Sequence, residues 1–180
     1  MLALTSGMRL GELLGVRWRD IDLDAGSLQV RHTMLRTAAG LHLTEPKTAR
    51  SRRRIALAPN AREALRAHRG RQAAERLQLG RAWEDQDLVF ANAIGKPVEA
   101  GNLLRRSFLP LLTKAALPRI RFHDLRHTAA TLLRSQGVHP KVVSELLGHS
   151  SIGLTLDTYS HVLPDMQQQA ATAMDRLFSQ

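Results

Sequence analysis

Tyr159 is the only tyrosine of the chain, and histidines flank it on both sides. His149 lies ten positions before it and His161 two positions after it. A phenol has an ordinary pKa of about 10, so a tyrosine nucleophile needs neighbours that favour the phenolate. Positive side chains do this because they stabilise the deprotonated oxygen. These residues predict a site in which Tyr159 attacks an electrophile, whereas a tyrosine without such neighbours is typically a core or surface residue.

Two arginines are candidates for binding a phosphate. Arg9 and Arg126 each stand singly beside apolar helix positions, whereas the run 52–54 is typical of generic contact with a DNA backbone. A guanidinium group suits a phosphodiester because its planar fork binds two oxygens and stays charged while those oxygens gain charge in the transition state. The alternative is a structural ion pair, and Glu12, one helical turn after Arg9, is a suitable partner.

Two further side chains are candidates for moving protons. His123 lies three positions before Arg126, so on a helix the two share a face. A histidine there can donate to a phosphate oxygen or accept the phenol proton. Lys47, in the basic segment 47–54, is suited to protonate a leaving alkoxide, and it equally fits routine contact with a DNA backbone.

The composition agrees with a DNA-binding domain. The chain has 180 residues, of which 43% are hydrophobic, so it can bury a core as one domain. Its net charge of +10 indicates a polyanionic partner, and the alternative interpretation is a basic surface that contacts only solvent. Aromatic residues make up only 4%, which favours duplex DNA over base stacking on single strands. Cysteine is absent, which excludes disulfides and thiolate metal sites and fits a reducing cytoplasm.

The elements that must position these residues are mainly helical. Apolar spacing and Gly or Pro stops predict a helix ending near Ser6, a short helix from Arg9, and further helices over 60–79, 104–115, 123–136, 140–147, 151–157 and 164–178. Asn60 with Glu63 predicts a capping box, and Pro110 predicts a kink or break. Alternating residues predict strands over 27–33, 41–44 and 54–57, with the basic segment 47–54 at a hairpin tip. The expected fold is mainly α with a small antiparallel β-sheet, an α+β class.

With these residues in place, the chain resembles the tyrosine recombinases, the phage-integrase family. The resemblance is carried by four segments in the family's order: 5–22 resembles the first arginine box, 46–52 the hairpin with a catalytic lysine, 122–128 the His-x-x-Arg box, and 147–162 the last box with the nucleophile. Any one segment is a weak signal, but four in sequence over essentially the whole chain are specific. The resemblance implies the tyrosine recombinase catalytic-domain fold over residues 1–180.

The resemblance also implies a role for each residue. Arg9 and Arg126 would clamp the scissile phosphate, and Glu12 would brace the site. Lys47 would protonate the departing 5′ oxygen, and Tyr159 would hold the 3′ phosphate covalently. The remaining roles fall to the histidines: donation to a non-bridging oxygen by His149, acid–base assistance by His123, and a less defined supporting part for His161.

The implied activity is site-specific DNA recombination of the integrase type, by strand cleavage and rejoining through a 3′-phosphotyrosyl intermediate. It would need neither metal nor cofactor. The implied partners are double-stranded DNA and further copies of the chain, as a tetramer on DNA, in the cytoplasm at the nucleoid. The family's N-terminal DNA-clamping domain would be absent and the first catalytic-domain helix clipped, so the sequence is expected to be a catalytic fragment.

Two alternatives remain at this point. One is a zinc hydrolase, because His123 and His127 have the spacing of helical zinc ligands. Asp124 stands where the metalloprotease motif has Glu, however, and Arg126 between the histidines would repel a cation. The other is a DNA-binding remnant of an integrase without catalysis. The last helix, 164–178, is expected to pack on its own core or on a neighbouring protomer.

Overall fold

The computed structural model describes residues 1–46 and 51–149, together with Gly153 and Asp175. In this part of the chain the α-helices are α1 (Leu2–Ser6), α2 (Leu10–Leu14), α3 (Pro59–Leu79), α4 (Ala100–Leu103), α5 (Leu109–Lys114), α6 (Asp124–Ser135) and α7 (Pro140–Leu147). The strands are β1 (Ile21–Asp22), β2 (Ser27–Gln29), β3 (Thr33–Thr37), β4 (Gly40–Thr44) and β5 (Arg54–Ala56). The predicted fold class, mainly α with small antiparallel sheets, is confirmed.

The strands form two antiparallel sheets. One has the order β1-β2-β5, with Leu28 of β2 opposite Ile55 of β5, and the other is the β3-β4 hairpin. The predicted single hairpin between residues 41–44 and 54–57 is therefore wrong, since β4 pairs with β3 and β5 pairs with β2. The segment between β4 and β5 connects two sheets, and Lys47 within it lies outside the described residues.

Three local predictions need correction. The predicted strand over 27–33 is interrupted, because β2 ends at Gln29 and β3 begins at Thr33. Asn60 does not cap α3: Ala58 occupies the N-cap position without a side-chain bond, and Pro59 begins the helix, where its missing N–H costs nothing. Pro110 does not break its helix, because a π-helical turn over Leu104–Phe108 joins α4 to α5 just before it.

Helices α6 and α7 begin and end as predicted. Gly137, with a φ of 76°, follows α6, and Gly148, with a φ of 67°, ends α7 in the left-handed region. The predicted helices over 151–157 and 164–178 lie outside the described residues, apart from Gly153 and Asp175. Of the helices that are described, none is long and apolar enough to cross a membrane.

The core places the N-terminal segment against the later helices. One cluster joins the helices α1 and α2 to the three-stranded sheet, where Leu28 and Ile55 are fully buried. A second cluster lies between α6 and α7 and includes Ala130, Val143 and Leu147, all fully buried. Helix α1 packs on α6. The beginning of the chain is thereby fixed beside residues more than a hundred positions later.

Candidate active site

The turn between α1 and α2 is set by Gly7. Its φ of 60° is in the left-handed region, and a Cβ there would lie 2.5 Å from Cδ2 of Leu147. Only glycine accommodates both the backbone conformation and the close approach of α7. The turn ends α1 and directs Arg9 to the N-cap of α2.

Arg9 and Glu12 form a reciprocal pair at the start of α2. The backbone N–H of Arg9 donates to Glu12 Oε2 over 2.9 Å, and Arg9 Nη1 donates to Oε1 over 2.9 Å. The Glu12 side chain is 4% exposed, whereas that of Arg9 is 42% exposed. The ion pair expected as the alternative for Arg9 therefore exists, and it leaves the guanidinium group open to solvent.

Glu12 has a second and deeper partner in Arg53. Nη2 of Arg53 lies 3.0 Å from Glu12 Oε2, and Nη1 lies 3.2 Å from Oε1. Burial raises the pKa of Glu12, but the hydrogen bonds and charge of Arg53, with those of Arg9, outweigh this effect and hold the pKa below its ordinary value of 4.5. The carboxylate is therefore charged at neutral pH.

Arg126 is buried on the first turn of α6 and bonded to the N-terminal turn. It is 3% exposed, and its Nη1 donates to the carbonyl of Gly7 over 2.8 Å. His123 forms the N-cap of the same helix, and its ring centroid lies 4.9 Å from that of His127. Burial, and then the charges of His127, Arg126, Arg9 and Arg121, lower the pKa of His123 from 6.5.

His149 follows the glycine that ends α7. Gly148 ends α7 in the left-handed conformation, and the backbone N–H of His149 donates to the carbonyl of Ser144 over 3.1 Å. Burial comes first among the causes that lower the pKa of this imidazole to about 4, followed by the charges of Arg126, Arg9, His127 and Arg53. His149 is therefore neutral at pH 7.

The two predicted phosphate clamps converge. Arg126 bonds the carbonyl of Gly7, two positions before Arg9, and the charges of both arginines lower the pKa of His123 and of His149. Each arginine therefore lies within electrostatic reach of both imidazoles. The described residues Arg9, Arg53 and Arg126 carry three positive charges against the single carboxylate of Glu12, a sum of +2. Such an excess of fixed charge at a partly open surface is suited to an anion.

The structure brings together five of the eight site residues predicted from sequence: Arg9, Glu12, His123, Arg126 and His149. The other three, Lys47, Tyr159 and His161, lie outside the described residues. Arg53 was missed, because it was grouped with the exposed basic run. The alternation of β5, in which Ile55 is buried and Arg54 and Ala56 are exposed, predicts that the side chain two positions before Ile55 is buried as well. Within residues 1–46 and 51–149, no group of three histidine or acidic side chains is arranged to hold a metal.

Several known proteins are similar to this chain in sequence. The family model described as the phage integrase family matches residues 1–166. A tyrosine recombinase XerC-like protein of Caldanaerobacter subterraneus subsp. tengcongensis is 35% identical over 99% of the chain and 48% of its own length, and an integrase of Streptomyces ambofaciens is 33% identical over 99% and 47%. The chain thus spans about half the length of the curated relatives it matches.

A solved structure is also similar to this chain in fold. The Tn1549 transposon integrase, in complex with a circular intermediate DNA, superposes with a TM-score of 0.76 at 27% identity, over 98% of this chain and 56% of that one. The shared fold confirms the expected tyrosine recombinase catalytic-domain architecture. Because the family model covers most of the sequence and includes the positions of the converging arginines and histidines, this chain belongs to the phage integrase family.

Proposed function

We propose that residues 1–180 form the catalytic domain of an enzyme for site-specific DNA recombination, which cleaves and rejoins strands through a 3′-phosphotyrosyl intermediate at Tyr159. The observation that carries the proposal is the position of Arg126 beside the turn that holds Arg9: its Nη1 donates to the carbonyl of Gly7 over 2.8 Å, and the charges of both arginines act on His123 and His149. Cationic donors fixed before the reaction stabilise charge that develops on phosphate oxygens.

The reaction balances without a cofactor. The phenolic oxygen of Tyr159 attacks the phosphorus, a new P–O bond forms, and the bond from phosphorus to the 5′ oxygen breaks. His123 accepts the phenol proton, and Lys47 supplies a proton to the departing 5′ oxygen. Attack by a free 5′ hydroxyl on the phosphotyrosine then reverses these steps, so the energy of the bond is kept.

The structure favours distinct tasks for the clamp residues. Arg126, held by the Gly7 carbonyl, offers the buried side of the clamp, and the partly exposed Arg9 offers the open side. His149 is neutral and so keeps one ring N–H for a non-bridging oxygen. Glu12 braces Arg9 and takes no part in proton transfer, since its pKa lies below the ordinary value.

The proposed partners are duplex DNA and further copies of the chain. The net charge of +10 supports a nucleic acid partner, and the similar Tn1549 integrase is described in complex with DNA. We propose that the protein assembles as a tetramer on DNA and works in the cytoplasm at the nucleoid. The assembly is testable by light scattering with and without duplex.

The decisive experiment is covalent trapping. The chain is incubated with a pool of nicked duplexes whose central sequence is randomised, so that loss of the short fragment beyond the nick prevents rejoining. Wild type is expected to form an adduct that resists denaturation, and peptide mapping is expected to place the DNA on Tyr159. Sequencing the trapped strands then reveals the preferred site.

The matched variant is Tyr159→Phe, which removes the attacking oxygen and nothing else. It is expected to bind the pool as wild type does and to form no adduct. An adduct on another residue, an adduct that persists in Tyr159→Phe, or DNA binding by wild type without any adduct contradicts the proposal.

A further inference from the structure

One buried guanidinium group joins three separate segments of the chain. Arg53 donates to both oxygens of Glu12, to the carbonyl of Leu146 through Nε over 2.6 Å, and to the carbonyl of Ser51 through Nη1 over 3.2 Å. Leu146 lies 93 positions along the sequence, at the end of α7, and Glu12 lies 41 positions back, in α2.

We propose that Arg53 is a positioning residue, whose guanidinium group fixes Glu12, and hence Arg9, relative to the end of α7 that presents His149. The proposal rests on the function proposed above, because it assigns a task within that site. Arg53 does not touch the phosphate in this scheme. It acts through the residues that do.

Burial separates Arg53 from its neighbours in the basic run. Its side chain is 7% exposed, whereas that of Arg52 is 56% exposed and pairs with Glu45. Arg54 is exposed and donates to Ser27 Oγ. Phosphate contact on a DNA surface is therefore available to Arg52 and Arg54 and closed to Arg53.

The bond pattern requires arginine. The group donates to a carboxylate on one side and to carbonyls on the other, in directions that a planar fork supplies at once. A lysine offers one compact charge and cannot hold both sides in fixed directions. The bonds to Glu12 and Leu146 end close to residues of the clamp, since Glu12 holds Arg9 by two bonds and Leu146 lies three positions before His149.

The consequence for catalysis is geometric. A catalytic group displaced by about 1 Å loses on the order of 10²-fold in rate. Without Arg53, Glu12 and the end of α7 are no longer bonded to the same side chain. Arg9 and His149 are then no longer fixed relative to each other. It also leaves a buried carboxylate with less compensation, which destabilises the fold by itself. The experiment must separate these two effects.

The test compares Arg53→Met with Arg119→Met, which removes the same charge from an exposed position just before α6. Single-turnover trapping is measured on the duplex sequence selected by wild type, at a temperature where circular dichroism shows each variant folded. Arg53→Met is expected to be slower by on the order of 10²-fold at saturating DNA, with unchanged affinity. Arg119→Met is expected to cleave at the wild-type rate. Equal rates for the two variants overturn the proposal while leaving the proposed function intact.

A second pair of variants covers poor folding. Glu12→Gln combined with Arg53→Met removes both buried charges, so thermal stability is expected to recover relative to Arg53→Met. Trapping is expected to remain slower than in Glu12→Gln alone, because the bond to Leu146 is still missing. A rate that returns with stability shows a structural role only and overturns the proposal.

A third readout needs no catalysis. Removing the positive charge of Arg53 is expected to raise the pKa of His149 only slightly above about 4, because burial and the charges of Arg126, Arg9 and His127 come before Arg53 among the causes that lower it. NMR titration of the ring protons measures the shift, and Arg119→Met is expected to leave that titration unchanged. If wild type forms no adduct at Tyr159, the proposed function fails, and this measurement still decides whether Arg53 is coupled to His149. An identical titration in both variants overturns the coupling.

Discussion

The two halves of the candidate site are held by different interactions. The half built by α2 and β5 is a charge network, in which buried Glu12 joins Arg9 to Arg53. The half built by α6 and α7 relies on helix ends and backbone groups: Arg126 bonds the carbonyl of Gly7, and His149 follows a left-handed glycine turn.

The charge network of the first half keeps the clamp rigid, whereas the histidines of the second half can exchange protons. In the first half the carboxylate keeps its charge to a pH below its ordinary pKa, so the clamp has the same electrostatics over the whole neutral range. In the second half the pKa values of His123 and His149 are lowered, which keeps these two imidazoles neutral and able to donate or accept a proton.

Glu12→Ala is expected to destabilise the fold by about 3–5 kcal/mol, because it leaves buried Arg53 without its counter-charge. The free energy of unfolding in urea measures this effect. Asp24→Ala is the control, since Asp24 also pairs with an arginine, Arg66, but its side chain is 98% exposed. A similar loss of unfolding free energy in both variants would show that burial does not make the ion pairs of Glu12 more important for stability than an exposed pair.

Arg126→Ala is expected to reduce the single-turnover trapping rate by roughly 10²–10³-fold, the cost of one fixed donor to a developing oxyanion. Arg126→Lys is expected to recover little, because lysine lacks the planar fork. Arg119→Ala serves as the control, since it removes one exposed arginine just before α6. Equal rates for Arg126→Ala and Arg119→Ala would remove Arg126 from the clamp.

Gly7→Ala is expected to lower both stability and cleavage. The left-handed conformation alone costs about 1–2 kcal/mol with a Cβ, and displacement of Leu147 adds to it. Gly137→Ala isolates the conformational cost, because Gly137 also has a positive φ but nothing within 4 Å of its Cβ position. Urea unfolding that gives the same loss for both variants would contradict tight packing of α7 on this turn.

At neutral pH the titration of His149 gives the smallest effect, because the imidazole is already neutral there. Its folded pKa of about 4 lies below the ordinary value of 6.5, so the unfolded chain binds more protons between these values. Its contribution to stability is therefore complete above pH 6.5 and is lost as the pH falls towards 4. Bound duplex is expected to raise this pKa, because phosphate favours the imidazolium form. NMR titration with and without DNA measures the shift, and a further fall on binding would place the phosphate elsewhere.

The sequence was informative where short-range patterns decide structure. The helix of Arg126 and the turn at Gly148 follow from apolar spacing and glycine stops, and these local elements carry most of the predicted site. The spacing of His123 and Arg126 was enough to place both side chains on the first turn of α6. His123 and Arg126 are together in the structure for this reason, whereas Arg9 and Glu12 lie beside them because α1 packs on α6 and Arg126 bonds the carbonyl of Gly7.

The failures concern partners that are distant in sequence. Nothing in the run 52–54 distinguishes its middle arginine until Glu12 and Leu146 are placed around it. The pairing of the strands is also hard to predict from sequence, because β5 pairs with β2 and the β3-β4 hairpin lies between them along the chain. At Pro110, the π-helical turn accommodates a proline that short-range rules treat as a break.

The bond from Arg126 to Gly7 also has a consequence for biosynthesis. It closes a loop of 119 positions, and the ribosome delivers the N-terminal end first. A nascent chain stopped before α6 carries Arg9 but lacks the residues that complete the anion-binding cluster. Under the proposed function, a chain that stops before α6 lacks Arg126 and cannot cleave DNA, so cleavage becomes possible only after α6 and Tyr159 have been synthesised.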